Sequence, residues 1–153
     1  MSCWSVQSSV PFRSAARSPA SWRRHSELPA YRAWLHRALA EEPTVGYSDV
    51  VLNGVVRVVT HPRLFNKPSS LEAALGFVDF IRNHPRTVAT VPGSRHWTIF
   101  AELCRTSNAR GNLVPDAYHA ALAIEHGAIW ATADRHFARF PRLQWRHPLD
   151  AQR

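Results

Sequence analysis

The stretch from Asn112 to Phe140 carries the clearest change of hydrophobic period in the chain. Small apolar residues recur at three- and four-residue intervals from Pro115 to about His126, which predicts a helix with Pro in its first turn. Gly127 is a natural C-terminal stop. The next residues, Ala128 to Thr132, form a mostly apolar run that is typical of a strand buried on both faces.

The rest of the chain alternates in the same way. A period near 3.6 residues predicts further helices from Pro29 to Pro43, Asp49 to Val59, Ser69 to Asn83 and Ser94 to Cys104. Shorter apolar runs predict strands at Thr44–Tyr47, Thr87–Val91 and, as a last edge strand, Leu143–Trp145. Such alternation predicts an α/β fold with a parallel sheet covered on both faces.

Polar residues mark the expected helix starts. Ser48 and Ser94 are each placed as an N-cap, and Ser69 with Glu72 has the spacing of a capping box. Phe137 and Phe140, spaced three apart, are expected to anchor one further short helix in the core. These signals set the element boundaries that a structure can test.

Composition limits the class of protein. A chain of 153 residues, 45% of them hydrophobic, is long enough for one domain with a core and too short for two full ones. The formal net charge of +8 favours an anionic partner, and nucleic acid is the commonest one for such a balance. The nine histidines form no H-E-x-x-H zinc motif. With Cys3 and Cys104 as the only cysteines and no apolar run of about eighteen residues, we expect a soluble, cytoplasmic protein without a disulfide framework.

Two acids flank the predicted helix and strand of the 112–140 segment. Asp116 opens the helix and Asp134 follows the strand, so a right-handed αβ unit lets both reach the sheet edge where α/β proteins place their sites. Each acid also has a structural explanation. An acid in the first turn of a helix favours the helix dipole, and Asp after a strand is a common turn residue. From these two residues alone, the structural explanation is the stronger one.

A family resemblance raises the odds of a functional site. The sequence NLVPDAYHAALAIEHGAIWATADRHFARF, residues 112–140, resembles the C-terminal signature of PIN-domain ribonucleases, specifically the VapC-type toxins of toxin–antitoxin pairs. Two further segments, VGYSDVVLNGVVRVVTHPRLF and FPRLQWRHPL, are similar to that family in the same order. The resemblance covers roughly residues 30–150 and implies a three-layer α/β/α fold with a central parallel sheet.

The resemblance also implies a metal site. Four acids in this family hold one or two Mg²⁺ or Mn²⁺ ions for RNA hydrolysis, and three of them correspond to Asp49, where many relatives have Glu, Asp116 and Asp134. The first acid, expected after an initial strand in a run like L-V-D-x-N, has no counterpart. His136 stands where the family often has a further Asp, and is expected to be structural or RNA-facing rather than a ligand. Four arginines are candidates for steering RNA: Arg57, Arg110, Arg135 and Arg139.

The N-terminus departs from the family pattern. Residues 1–28 are rich in Ser and Arg, with no acid before Glu27, and are assigned to an atypical basic arm that precedes a PIN-like domain at 29–150. The first strand is expected to be missing or altered. One hypothesis is that a changed reading frame or start site replaced this strand and its Asp.

The predicted function is that of a metal-dependent endoribonuclease toxin, impaired by the absent first acid. Its implied partners are an RNA substrate, a VapB-type antitoxin and, through the helix at 69–83, a second copy in a homodimer. Two alternatives stay open: a catalytically inactive PIN-like domain that binds RNA or antitoxin, and a structural protein whose 69–83 helix mediates dimerisation.

Overall fold

The computed structural model describes residues 2–4 and 19–150, with side chains from residue 29 onward. Over these ranges the chain forms five strands: β1 Ser2–Trp4, β2 Val45–Tyr47, β3 Thr87–Ala89, β4 Ile129–Ala131 and β5 Trp145–Arg146. Five α-helices lie between them: α1 Pro19–Glu41, α2 Asp49–Val59, α3 Leu71–Arg82, α4 His96–Thr106 and α5 Leu113–Glu125. A 3₁₀ helix follows β4 at Arg135–Arg139.

The strands form one parallel sheet in the order β3-β2-β1-β4-β5. β1 lies at its centre, with Cys3 paired to Gly46 of β2 on one side and to Trp130 of β4 on the other. Because every pairing is parallel, all carboxyl ends meet at one edge, which we call the carboxyl edge.

The structure corrects the expectation for the N-terminus. Of the two expectations for the first strand, missing or altered, the second holds: the strand is present as β1, and its sequence SCW is not the apolar run typical of the family. The helix predicted to begin at Pro29 begins at Pro19 and contains Pro29 in its interior. Residues 5–18 of the expected arm lie outside the described residues, and the division into arm and domain stays a prediction.

Two hydrophobic clusters cover the two faces of the sheet. Successive side chains of a strand point to opposite faces, so two neighbouring residues of β4 belong to different clusters. Trp130 packs into the cluster with Ile99 and Leu103 of α4. Ala131 packs into the cluster with Leu39 and Ile81. The predicted three-layer arrangement is therefore confirmed. Over the described residues, no helix is both long and apolar enough to cross a membrane.

Most predicted boundaries hold to within two residues, and besides α1 three further helix starts need correction. Ser70 rather than Ser69 caps α3, with its hydroxyl accepting the N–H of Ala73 at 3.2 Å. α4 is preceded by Arg95 without a side-chain cap, so the cap expected from Ser94 is wrong. α5 begins at Leu113, which places Pro115 at its third position; the first-turn N–H groups have no partner inside a helix, so Pro is tolerated there. The buried Phe137 and Phe140 anchor the 3₁₀ helix as predicted.

His119 lies in the centre of the α5 layer, almost fully buried. Its ring stacks on Trp130 with 5.4 Å between centroids and an interplanar angle of 17°. Burial, with a smaller contribution from the nearby charge of His96, lowers the pKa of His119 from 6.5 to about 4. The folded protein therefore holds a neutral imidazole at a position where a charged ring is costly.

We predict that His119 makes the fold acid-sensitive between pH 6.5 and about 4. In that window His119 binds a proton in the unfolded chain but not in the folded chain, so the free energy of unfolding falls as the pH falls. The loss from His119 is about 2 kcal/mol on going from about pH 7.5 to about pH 5. Urea unfolding of His119→Phe at both pH values should show that much less acid destabilisation. The exposed control His36→Gln should keep the wild-type dependence; equal dependence in all three proteins would contradict the assignment.

Candidate active site at the carboxyl edge

Asp49 is placed at the carboxyl edge by the end of β2. Ser48 caps α2, and its buried hydroxyl accepts the N–H of Val51 at 3.3 Å. The cap fixes Asp49 as the first residue of α2, where the helix dipole favours an anion. The sequence predicted both the cap and the helix bounds, and both are confirmed.

Asp134 reaches the same edge from β4. The buried Thr132 directly follows the strand, and its hydroxyl accepts the N–H of Asp134 at 3.1 Å. The carboxylate of Asp134 in turn accepts the N–H of His136 at 2.8 Å and lies 3.2 Å from the Nδ1 atom of that ring. Asp134, with only 14% of its side chain exposed, is thus held in its own turn, whereas the contacting His136 side chain is 74% exposed.

Asp116 lies in the first turn of α5, and its side chain is half-buried. Because α5 precedes β4 and runs antiparallel to it, the N-terminus of α5 lies at the carboxyl edge. The topology thus brings the three predicted acids, Asp49, Asp116 and Asp134, to one edge of the sheet.

Within the described residues, the three acids do not form a group that could hold a metal ion. Among the residues described, no three His, Cys, Asp or Glu side chains come together closely enough to hold a metal ion. β1 lies between β2 and β4, so Asp49 and Asp134 start from strands about 10 Å apart. The sequence identified the edge correctly, and the close grouping of the acids stays a prediction.

Asp49 forms an ion pair that the sequence analysis missed. The guanidinium of Arg82, at the end of α3, contacts Oδ1 of Asp49. Its Cζ also lies 5.6 Å from the ring centroid of Tyr47, the last residue of β2, in a cation–π arrangement. The two partners are 33 positions apart, so no local motif signals the pair.

The donor chemistry nevertheless fits a hard divalent cation. Three carboxylates provide only oxygen ligands, the kind that Mg²⁺ and Mn²⁺ prefer. Two of the three carboxylates have other partners: Asp49 contacts the guanidinium of Arg82, and Asp134 accepts the N–H of His136 in its own loop.

The arginines predicted to steer RNA lie on the protein surface. The four arginines predicted to steer RNA are all exposed: Arg57, Arg110, Arg135 and Arg139. The guanidinium of Arg135 lies 3.5 Å from the carboxylate of Asp150, a surface pair of low energetic value.

Comparison with known proteins identifies the family. The model of the family described as "PIN domain" matches residues 21–143. VapC ribonuclease Mb2897 of Mycobacterium bovis is 44% identical over 133 residues, which cover 87% of this chain and 88% of that protein. The chain belongs to the PIN-domain family. Its similarity to VapC ribonucleases extends to Ribonuclease VapC25 of Mycobacterium tuberculosis, 33% identical over 124 residues that cover 81% of this chain and 87% of that one.

Solved structures agree on the PIN fold. VapBC-1 from nontypeable Haemophilus influenzae matches with a TM-score of 0.62 at 13% identity, covering 84% of this chain and 94% of that one. VapBC2 from Rickettsia felis, solved bound to a DNA fragment from its promoter, matches with a TM-score of 0.52 at 21% identity, covering 84% and 86%. At such identities the likeness shows the fold alone.

We predict that Thr132 positions Asp134. Replacing Thr132 with Val removes the hydroxyl that accepts the Asp134 N–H, which should lower the free energy of unfolding by about 1 kcal/mol. It should also weaken Mn²⁺ affinity about tenfold, because a residue that orients a ligand affects the metal through it. Unfolding in urea and calorimetric Mn²⁺ titration measure the two effects.

Thr90 provides the matched control. It too is a buried threonine directly after a strand, and its hydroxyl donates to the carbonyl of Tyr47 at 2.8 Å. Thr90→Val should lose similar stability and keep its Mn²⁺ affinity. Equal loss of affinity in both variants would show that Thr132 has no specific role.

Proposed function

We propose that this PIN-domain protein is a VapC-type toxin, an endoribonuclease that hydrolyses RNA phosphodiester bonds with a divalent cation, Mg²⁺ or Mn²⁺. The observation that carries the proposal is the 44% identity to a VapC ribonuclease along 87% of the chain. Three aspartates at the carboxyl edge, on a chain with a net charge of +8, support it because RNA hydrolysis needs both a metal site and an attraction for phosphate.

The proposed roles follow from position. Asp116 is the direct metal ligand, and Asp134 and Asp49 bind the ion directly or through water. A bound divalent cation supplies a water of lowered pKa and stabilises the charge that develops on the phosphate. Ser48 and Thr132 position Asp49 and Asp134 through the hydrogen bonds of the α2 cap and the β4 turn.

Activity is expected to be weak. The family pattern has four acids, and no acid precedes Glu27 in this sequence, so the position after β1 cannot contribute one. A site with three carboxylates binds a cation less tightly because each ligand charge adds to the attraction.

The proposed partners are an RNA substrate, a VapB-type antitoxin and a second copy of the chain. Both structural neighbours are VapBC assemblies, which supports the antitoxin as a partner. Exposed apolar residues of α3, among them Leu71, Leu75 and Phe80, support a protein contact at that helix. We place the protein in the cytoplasm, where its RNA target would be found.

We predict that RNA cleavage is stimulated by Mg²⁺, is weaker than that of the Mycobacterium bovis relative assayed beside it, and is lost in Asp116→Asn. The substitution removes a ligand charge while keeping the shape of the side chain. Asp79→Asn, which changes an exposed acid on α3, should retain wild-type cleavage. Cleavage as strong as that of the relative would refute the expected impairment, and cleavage unaffected by Asp116→Asn would refute the site.

One observation favours the second candidate, a catalytically inactive PIN-like domain that binds RNA or antitoxin. In the described part of the chain the acids do not form a group of three, and Asp49 is engaged by Arg82. A domain of this kind needs its positive charge and not its metal.

That alternative predicts a different response to salt and metal. RNA retention on a filter should fall steeply with rising salt, because binding releases counterions, and should be the same with Mg²⁺ or with a chelator. Metal-stimulated cleavage in the same samples would exclude a catalytically inactive domain. Absence of RNA retention at low salt would exclude both RNA-directed functions.

A further inference from the structure

The side chain of Arg82 links the end of α3 to the end of β2. Arg82 is the last residue of α3, and the chain continues through Arg86, whose carbonyl accepts the N–H of Val45 at the start of β2. Its side chain extends past Tyr47, at the other end of β2, to the carboxylate of Asp49. The side chain of Arg82 thus reaches from the end of α3, past β2, to the carboxyl edge.

We propose that Arg82 is a built-in competitor for the divalent cation, holding Asp49 as its own counter-ion and keeping that acid out of the metal site. This inference rests on the proposed metal-dependent function and concerns the regulation of the same site. A guanidinium and a divalent cation both require the negative charge of Asp49, and close approach of the two cations is unfavourable. Asp49 therefore serves the metal only when Arg82 moves away.

Asp49 is the acid of the three for which such an exchange is accessible. Its side chain is 68% exposed and that of Arg82 is 43% exposed, so water screens the pair and its strength is modest. Asp134, in contrast, is 14% exposed and bound to its own backbone turn. An exposed pair of this kind can open without unfolding any helix.

The ring of Tyr47 makes the competition specific to Arg82. Tyr47 is buried, and the guanidinium of Arg82 lies over its ring while it also contacts the carboxylate of Asp49. A lysine at this position would keep the charge but lose the planar contact with the ring and the fork of donors. Arg82→Lys should accordingly compete less well than arginine and better than a neutral residue.

The test is calorimetric titration of the full chain with Mn²⁺ alone. Arg82→Gln should bind Mn²⁺ about three- to fivefold more tightly than wild type, the range expected for releasing one exposed ion pair. Arg86→Gln is the matched control: it removes the same charge four positions along, from a side chain that donates to the carbonyl of Glu42. Its Mn²⁺ affinity should stay within about 1.5-fold of wild type, because salt screens charges beyond about 8 Å.

A double-mutant comparison separates competition from general electrostatics. Asp49→Asn should weaken Mn²⁺ binding more in the Arg82→Gln background than in wild type, since Asp49 is available to the ion only in the former. Additive effects, or equal gains in Arg82→Gln and Arg86→Gln, would overturn the inference. Thermal unfolding of each variant checks that the fold is kept.

The result for Asp116→Asn distinguishes failure of the inference from failure of the proposed function. If Asp116→Asn weakens Mn²⁺ binding and Arg82→Gln changes nothing, the metal site stands and the role of Arg82 is refuted. If neither wild type nor Arg82→Gln binds Mn²⁺, the metal-dependent function fails and the inference with it. Binding by Arg82→Gln in the absence of measurable wild-type binding would support both.

Discussion

Parallel pairing of β1 with both β2 and β4 is the constraint on which the rest of the site depends. It sends the ends of three strands to one edge and sets the strands that carry Asp49 and Asp134 about 10 Å apart, one on each side of β1. An acid following β1 would stand between them. Because the sequence has no acid before Glu27, the centre of the edge lacks the residue that would bridge its two sides.

The positions of the three acids determine which groups offset their negative charges. Clustered carboxylates repel one another and need a cation, whereas separated ones find partners in the protein. Asp49 has the N-terminus of α2 and Arg82, Asp116 has the N-terminus of α5, and Asp134 has the N–H of His136. Each of the three acids thus has a local source of positive potential or a hydrogen-bond donor beside it.

The sequence predicted those parts of the fold that depend on short-range signals. The period of α2 and the cap at Ser48 were sufficient to predict both ends of that helix, and Gly127 predicted the end of α5 to within one residue. The sequence did not predict β1, because the pattern of Ser2, Cys3 and Trp4 is not that of a strand. These residues are extended because they pair with residues more than forty positions away. The Arg82–Asp49 pair was missed for the same reason, since its geometry exists only once α3 has packed beside β2.

Binding and hydrolysis make different demands on such a site. Attraction of RNA depends on long-range charge, and a net charge of +8 with exposed arginines provides it without any fixed geometry. Hydrolysis requires ligands held to within about half an ångström of their working positions. A change confined to the acids at the carboxyl edge therefore damages catalysis long before it affects binding to RNA. Under the proposed function, the missing bridging acid and the arginine on Asp49 would weaken hydrolysis, whereas RNA binding would depend on the basic surface.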